Sequence, residues 1–364
     1  MKSRLAVDRH VPHGNRSPRR KALPAALLAV VLAMPGELSA ACLRGINLAG
    51  AEFGTRSGTH GQDYIFPADE TIGYFAAKGF NAVRLPFRWE RLQPRLSGAF
   101  DPAELNRLVD AVDRLRGAGL AVVLDPHNYA YYDDGRIGSP EVPVEAFADF
   151  WRRLAAEFKD DSGIYFGLMN EPHDVAAADW LTAVNAAISA IRGAGAGNLV
   201  YVPGTAWTGA HSWEADRPGG ANGAVMLGVV DPTRNYAYEV HQYLDEDFSG
   251  THASCEGADA AVAALQRFTA WLRQHNERGF LGEFGAPATP VCLAGLTRMV
   301  AVIRAAPDVW TGWTYWAAGE WWPETEPLNI QPTASGDRPQ LKALQLESAG
   351  AESRGRSCPA LEGG

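Results

Sequence analysis

The sequence predicts a single-domain α/β protein folded as a (β/α)8 TIM barrel, and three observations predict it. Eight short apolar runs recur along one domain-length stretch, with amphipathic segments between most of them. Polar and acidic residues gather where those runs end. In such a barrel the eight loops that follow the strands share one face, so that is where a site would form.

The strand-like runs fall at 44–49, 82–87, 121–126, 165–169, 199–203, 236–241, 279–282 and 311–316. Helical patterns fall at 68–78, 102–118, 144–158, 176–192, 259–276 and 293–305. In the second of these, Leu105, Leu108, Val109, Val112 and Leu115 recur at helical spacing, and Gly119 stops the helix. An open doubly wound sheet is the alternative, but no G-x-G-x-x-G follows the first strand. The sixth connection, 244–257 with Cys255 inside it, is longer than usual and suits a loop over a site.

The two ends read differently. Arg16, Arg19, Arg20 and Lys21 precede an apolar run at 22–34, Pro35-Gly36 breaks it, and Leu38-Ser39-Ala40-Ala41 supplies small residues for cleavage. Residues 1–41 are therefore expected to be a secretory signal peptide. The run falls short of the roughly 18 apolar residues a spanning helix needs. The mature domain is expected at 42–347, secreted to the extracellular or periplasmic space, with no membrane attachment after cleavage. Arg19-Arg20 leaves the twin-arginine export route open. Cys42 fits a lipidation site poorly, because Leu38 sits one place too far upstream. Residues 348–364 are small, polar and Gly-rich, and are expected to form a mobile tail.

Hydrophobic content of 46% and charged content of 21% are those of an ordinary globular protein. Removing 1–41 takes away seven basic and two acidic residues, which moves the formal charge from −9 to −14. Such an acidic surface argues against nucleic acid or an anionic membrane as partner. A neutral polysaccharide raises no such conflict, and nothing points beyond a monomer. None of the four cysteines lies in a C-x-x-C pair, which argues against zinc or a thioredoxin-like site. Cys255 and Cys292 lie 37 positions apart in turn-rich surroundings. A disulfide between them would contribute roughly 3–4 kcal/mol in the chain-entropy model. A Cys42–Cys358 bond would tie the two ends together.

Chemistry concentrates on two carboxylates. Glu171 ends YFGLMNEP at the fourth strand and Glu283 ends GFLGEFGAP at the seventh, 112 positions later. Arg84 lies in the second strand, His127 and Asn128 follow the third, and Asn170 precedes Glu171. His241 and Tyr243 follow the sixth strand, and Trp316 the eighth. A strand-end His or Arg taken singly is ordinary packing; agreement across six strands is not. Cleaving a sugar acetal needs one carboxylic acid to protonate the departing oxygen and one carboxylate to attack the anomeric carbon. Glu171 is assigned the proton, since two negative charges at close range cannot both be comfortable and one of the pair must hold its proton. Glu283 is assigned the attack, kept ionised by Arg84 with Tyr243 as hydrogen-bond donor. Asn170 would hold the 2-hydroxyl, and Trp316 offers a face for a pyranose ring. Trp207, Trp213 and Trp321 are candidates for further sugar subsites, with His127 and Asn128 lining the site.

The ordered set Arg84, His127, Asn170-Glu171-Pro172, His241-x-Tyr243, Glu283 and Trp316 resembles glycoside hydrolase family 5, over about 44–343. GINLAGAEFG, GFNAVRLPFRWERLQP, HQYLDEDFSGTHASC and FLGEFG are similar to its subgroup of secreted endo-β-1,4-glucanases. The resemblance implies a retaining two-step mechanism without metal or other cofactor, a β-1,4-linked glucan substrate, and a Cys255–Cys292 disulfide. LNIQPT after the eighth strand departs from the more acidic segment the subgroup leads one to expect. No appended cellulose-binding module is expected. The catalytic set does not distinguish an axial from an equatorial 2-hydroxyl, so a β-1,4-mannanase or other hemicellulase is the alternative. A carbohydrate-binding barrel without catalysis is the third reading, and retention of both carboxylates with Arg84 and Asn170 argues against it. A metallohydrolase would show converging ligands, and no H-E-x-x-H occurs.

Overall fold

The computed structural model describes residues 42–346 and 357–362. Eight parallel strands close into a barrel: β1 Leu43–Leu48, β2 Ala82–Phe87, β3 Ala121–Pro126, β4 Ile164–Gly167, β5 Val200–Pro203, β6 Tyr236–His241, β7 Gly279–Glu283 and β8 Trp310–Ala318. Each strand hydrogen-bonds to its neighbours in sequence, and β1 pairs with β8 to shut the ring. All eight expected strands are present. They are legible because a parallel strand is covered on both faces and reads as a continuous apolar run; every residue of β2 is buried.

Six long helices surround the barrel: α1 Asp69–Ala77, α2 Pro102–Gly117, α3 Val144–Phe158, α4 Ala177–Gly193, α5 Ala258–His275 and α6 Pro290–Arg304. Their ends have local causes. Asp101 accepts the Ala103 and Glu104 N–H groups at 2.9 Å, with Pro102 as first helical residue of α2. Thr289 does the same for the Cys292 N–H ahead of α6, with Pro290 behind it. That cap starts α6 three residues earlier than its apolar periodicity suggests.

Between β5 and β6 no long helix forms. The connection carries a 3-10 turn at Ala210–Ser212 and single helical turns at Asn222–Val225 and Met226–Gly228. Trp213 fills the space instead. Its ring lies 5.0, 5.4 and 5.6 Å from those of Phe268, Trp271 and Tyr238, and it is buried. Trp213 is therefore core, which corrects its reading as a sugar subsite.

The amino-terminal end of the barrel interior is apolar. Leu43, Ala82, Val123, Leu199, Tyr201, Ala237 and Phe280 form one cluster, and Leu361 packs against it. Cys358 is bonded to Cys42, and the turn Pro359–Glu362 is held by Ala360 N–H to the Pro307 carbonyl and by Arg278 Nη1 to the Ala360 carbonyl. The expected mobile tail therefore needs correction over 357–362: one buried cysteine and one apolar contact anchor it despite its polar composition. Residues 347–356 and 363–364, and the whole expected signal segment 1–41, lie outside the described residues. With Cys42 in a disulfide, no thiol is left there for lipidation. The second disulfide, Cys255–Cys292, ties the connection after β6 to the first turn of α6. No helix among the described residues is long and apolar enough to cross a membrane.

Candidate active site

At the carboxyl end of the barrel, six strands deliver polar side chains to one place. Arg84 points inward from β2 and is fully buried. Its Nη1 lies 2.9 Å from both Glu283 Oε1 and Asp125 Oδ2, and its Nε lies 3.0 Å from Glu239 Oε1. Its Nη2 donates to Asn170 Oδ1 at 2.9 Å, and Nη1 reaches Asn47 Oδ1 at 3.1 Å. Burial disfavours the guanidinium charge, but Asp125, Glu239, Glu283 and Glu171 outweigh it and raise its pKa. Arg84 is a fixed cation.

Glu283 ends β7 with both oxygens engaged. Oε1 takes Arg84, and Oε2 accepts the Tyr243 hydroxyl at 2.7 Å. Burial pushes its carboxyl above the ordinary value, while the charges of His241 and Arg84 pull it down. The balance is closer than its pairing with Arg84 alone suggests, because a strand end that deep loses most of its hydration.

Glu171 arrives by a strained route: its backbone sits at φ 42°, a left-handed conformation that costs a non-glycine residue roughly 1–3 kcal/mol. Its Oε1 meets His241 Nδ1 at 2.8 Å. One carboxylate oxygen each from Glu171 and Glu283, together with His241 Nδ1, lie within 4.8 Å of one another. The other His241 nitrogen faces Glu239 Oε1 at 3.3 Å. Burial would lower the His241 pKa, yet Glu283, Glu171 and Glu239 raise it to about 10. Asn170, whose carbonyl goes to Arg84, turns its NH2 to His127 Nε2 at 3.2 Å, and His127 Nδ1 meets Asp125 Oδ2 at 2.7 Å. The His127 ring stacks on Trp316 at 5.3 Å and 15°.

Two carboxylates, the Arg84 guanidinium, an imidazole set among carboxylates and an aromatic ring thus meet at one end of the barrel. Residues 44–319 match the family model for cellulase (glycosyl hydrolase family 5). The chain belongs to glycosyl hydrolase family 5, the cellulase family. It is 36% identical over 292 residues to endo-β-1,4-glucanase B of Emericella nidulans, which covers 79% of this chain and 86% of that protein. It is 38% identical to endoglucanase gh5-1 of Neurospora crassa, over 76% of this chain and 70% of that one. Among solved structures, an endo-β-1,4-glucanase from Xanthomonas axonopodis pv. citri superposes with a TM-score of 0.82 at 47% identity, covering 84% of this chain and 97% of its own. XacCel5A in complex with cellopentaose superposes at 0.81 and 48% identity, over 82% and 97%.

In this family 5 enzyme most residues singled out from sequence meet at one point: Arg84, His127, Asn170, Glu171, His241, Tyr243, Glu283 and Trp316. Asn128 does not. Its Oδ1 accepts the Trp89 N–H at 2.8 Å and its Nδ2 donates to Glu90 Oε2, so its amide is spent in the wall rather than offered to a ligand. Trp207 stands to one side, 51% exposed, with its N–H bonded to the carbonyl of Pro172 next to Glu171. It stacks on His173 at 4.9 Å and 17°, and His173 in turn meets Tyr129 and Tyr131 at 5.9 and 5.5 Å. Trp321 is half-buried, and its neighbour Trp322 is the one that meets the Trp316 ring, edge-on at 5.9 Å.

Four buried polar residues were not among the candidates. Asn47 donates to the Gly282 and Tyr315 carbonyls while receiving Arg84. Glu52 accepts the Gly50 N–H, and burial raises its carboxyl pKa. Asp125 and Glu239 lie beneath the two histidines. Each stands in a strand two residues before its histidine, which ends the strand in β6 and directly follows it in β3, so each pair is set at the period that shares a face. That spacing is the signal that could have found them.

Proposed function

We propose that this enzyme is a secreted, retaining endo-β-1,4-glucanase, with Glu171 as acid/base and Glu283 as nucleophile. The observation that carries the reading is the closeness of the two carboxylates, whose nearest oxygens lie within 4.8 Å. Retaining enzymes hold the pair about 5–5.5 Å apart, whereas inverting ones leave about 6.5–9.5 Å for a water between them.

In the first step Glu283 attacks the anomeric carbon as Glu171 gives its proton to the departing oxygen. Arg84 and the Tyr243 hydroxyl fix the attacking carboxylate. In the second step Glu171, now a carboxylate, takes a proton from water, whose oxygen displaces Glu283 and restores it. Asn170, oriented by Arg84 and His127, holds the 2-hydroxyl of the reacting sugar, and Trp316 bears on its ring. The shelf of Trp207 and His173 adjoins Glu171, so the sugars on the leaving side lie there. Relatives named endo-β-1,4-glucanases support a β-1,4-glucan substrate. Two disulfides support an oxidising, exported location.

The test is hydrolysis of a soluble cellulose derivative, mixed-linkage glucan, galactomannan and xylan, scored by new reducing ends, with the product anomer followed by proton NMR. The expected result is fastest cleavage of glucan with the β-anomer appearing first. Faster cleavage of mannan overturns the substrate, and a first-formed α-anomer overturns retention. Glu283→Gln is expected to lose several orders of magnitude in rate while still binding cello-oligosaccharide; near-normal turnover refutes its role.

A further inference from the structure

Both ring nitrogens of His241 face carboxylates. Nδ1 lies 2.8 Å from Glu171 Oε1 and 3.6 Å from Glu283 Oε2, and Nε2 lies 3.3 Å from Glu239 Oε1. A neutral imidazole keeps one nitrogen as an acceptor, which would set a lone pair against Glu239 on one side, or on the other against Glu283 and, once it has given up its proton, Glu171. Only the doubly protonated ring donates on both. His127 is placed differently, with Asp125 on one nitrogen and the Asn170 NH2 on the other.

The group that enforces this is Glu239. It is buried in the barrel interior on β6, two residues before His241 and on the same face. The neighbouring strand makes room for it: a Cβ at Gly282 of β7 would sit 2.1 Å from Glu239 Oε1. A carboxylate in a barrel interior is costly unless cations meet it, and this one meets Arg84 and His241.

We propose that Glu239 is a positioning residue that keeps His241 a doubly protonated ring, with Nε2–H given to Glu239 and Nδ1–H aimed at Glu171 beside Glu283. The proposal rests on the reading of Glu171 and Glu283 as the catalytic pair. It gives the site a second fixed positive charge besides Arg84. His241 holds its protons through both steps while Glu171 loses and regains one. When Glu171 becomes a carboxylate, the Nδ1–H bond to it becomes charge-assisted on both sides and strengthens. The groups facing His241 are Glu239 on its own strand, Glu171 after β4 and Glu283 on β7. Asp125 on β3, Arg84 on β2 and Tyr243 stand beyond. The carboxylates of Glu239 and Glu283, joined by Glu171 once it has given up its proton, favour the cation against one guanidinium, which agrees with the raised His241 pKa.

The experiment is ring-nitrogen NMR of the 15N-histidine-labelled mature enzyme, with H241N used only to assign the signal. In the native protein both His241 nitrogens are expected to stay protonated to about pH 9, a unit below the pKa of about 10. In E239Q the ring is expected to titrate about 1–3 units lower. Glu239→Asp, which keeps the charge one methylene further off, should restore most of the shift, and it serves as the reporter should E239Q fail to fold. An unchanged His241 titration in E239Q or a singly protonated native ring at pH 7 would each overturn the proposal. Inactivity of the native enzyme on every glycan, with the His241 titration as expected, would instead sink the catalytic reading and leave Glu239's hold on His241 standing.

Discussion

Replacing Arg84 with methionine removes a charge while filling much of the same volume, and it separates electrostatics from packing in the barrel interior. Arg84 lies 2.9–3.0 Å from three buried carboxylates, those of Asp125, Glu239 and Glu283. Losing one partner of a buried ion pair costs roughly 3–5 kcal/mol, because the remaining charge has neither water nor counter-ion. A second route reaches the same size: if each of three carboxyls rises by about one pKa unit, the sum is about 4 kcal/mol. The sign with pH follows from the direction of each shift. In the native protein Asp125 is held below its ordinary value by Arg84 and His127 against its burial. It therefore adds stability above its unfolded pKa, and that stability is lost as pH falls through the folded one. Without Arg84 its folded pKa moves above the unfolded one, so it destabilises increasingly as pH rises. Urea unfolding followed by tryptophan fluorescence at pH 4.5 and 7.5 should show a penalty near 4 kcal/mol at the higher pH and at least about 1 kcal/mol less at the lower. A penalty equal at the two pH values, or under about 1 kcal/mol at pH 7.5, would refute the reasoning.

For Glu171→Gln, an aryl glycoside with a good leaving group should show a first step far less impaired than cellulose hydrolysis; equal impairment of both counts against a proton donor. Trp207→Ala should raise KM for long cello-oligosaccharides by roughly threefold to tenfold, as about 0.5–1.5 kcal/mol of ring contact is lost, with kcat on an aryl cellobioside little changed; unchanged KM removes the shelf from the substrate path. The double variant Cys42→Ser, Cys358→Ser opens a link spanning 316 positions, for which the chain-entropy model gives at most about 5–6 kcal/mol. Chemical denaturation should show most of that loss while activity at 25 °C persists, because the link sits at the barrel end opposite the site; loss of activity ahead of unfolding would contradict this.

The eight strands could be read from sequence because burial on both faces writes an unbroken apolar run. The strand-end residues could be read because that same rule makes a terminal carboxylate stand out. Trp207 and Trp213 show where the reading stops. Both are tryptophans in the connection after β5, and only their neighbours separate them: Phe268 and Trp271 of α5 enclose Trp213, while Trp207 rides three consecutive left-handed residues at 206–208 out to the surface. Asn128 and His127 are adjacent, yet one amide closes onto Trp89 and Glu90 while the neighbouring ring enters the site. Asp125 and Glu239 stand at period two from their histidines yet were passed over, because a charged residue inside an apolar strand looks like an exception until its cation is seen. The anchor at Cys358 was hidden by its setting among small polar residues.

The two ends of the barrel follow opposite physical rules, and each explains the other. At the carboxyl end, branched apolar side chains that would ordinarily fill the interior give way to Arg84, Asp125, Glu239, His241 and Glu283, all buried. Such a network stabilises the fold little relative to an apolar core, since desolvation cancels most of the attraction. What it supplies is a set of charges that need no rearrangement when a transition state forms. The cost is met away from the chemistry. Leu361 closes the apolar cluster at the amino-terminal end, Cys42–Cys358 ties the first strand to the last segment, and Cys255–Cys292 pins the connection that begins just after Tyr243. These supports touch neither carboxylate, so they hold the barrel closed without setting the distance between Glu171 and Glu283.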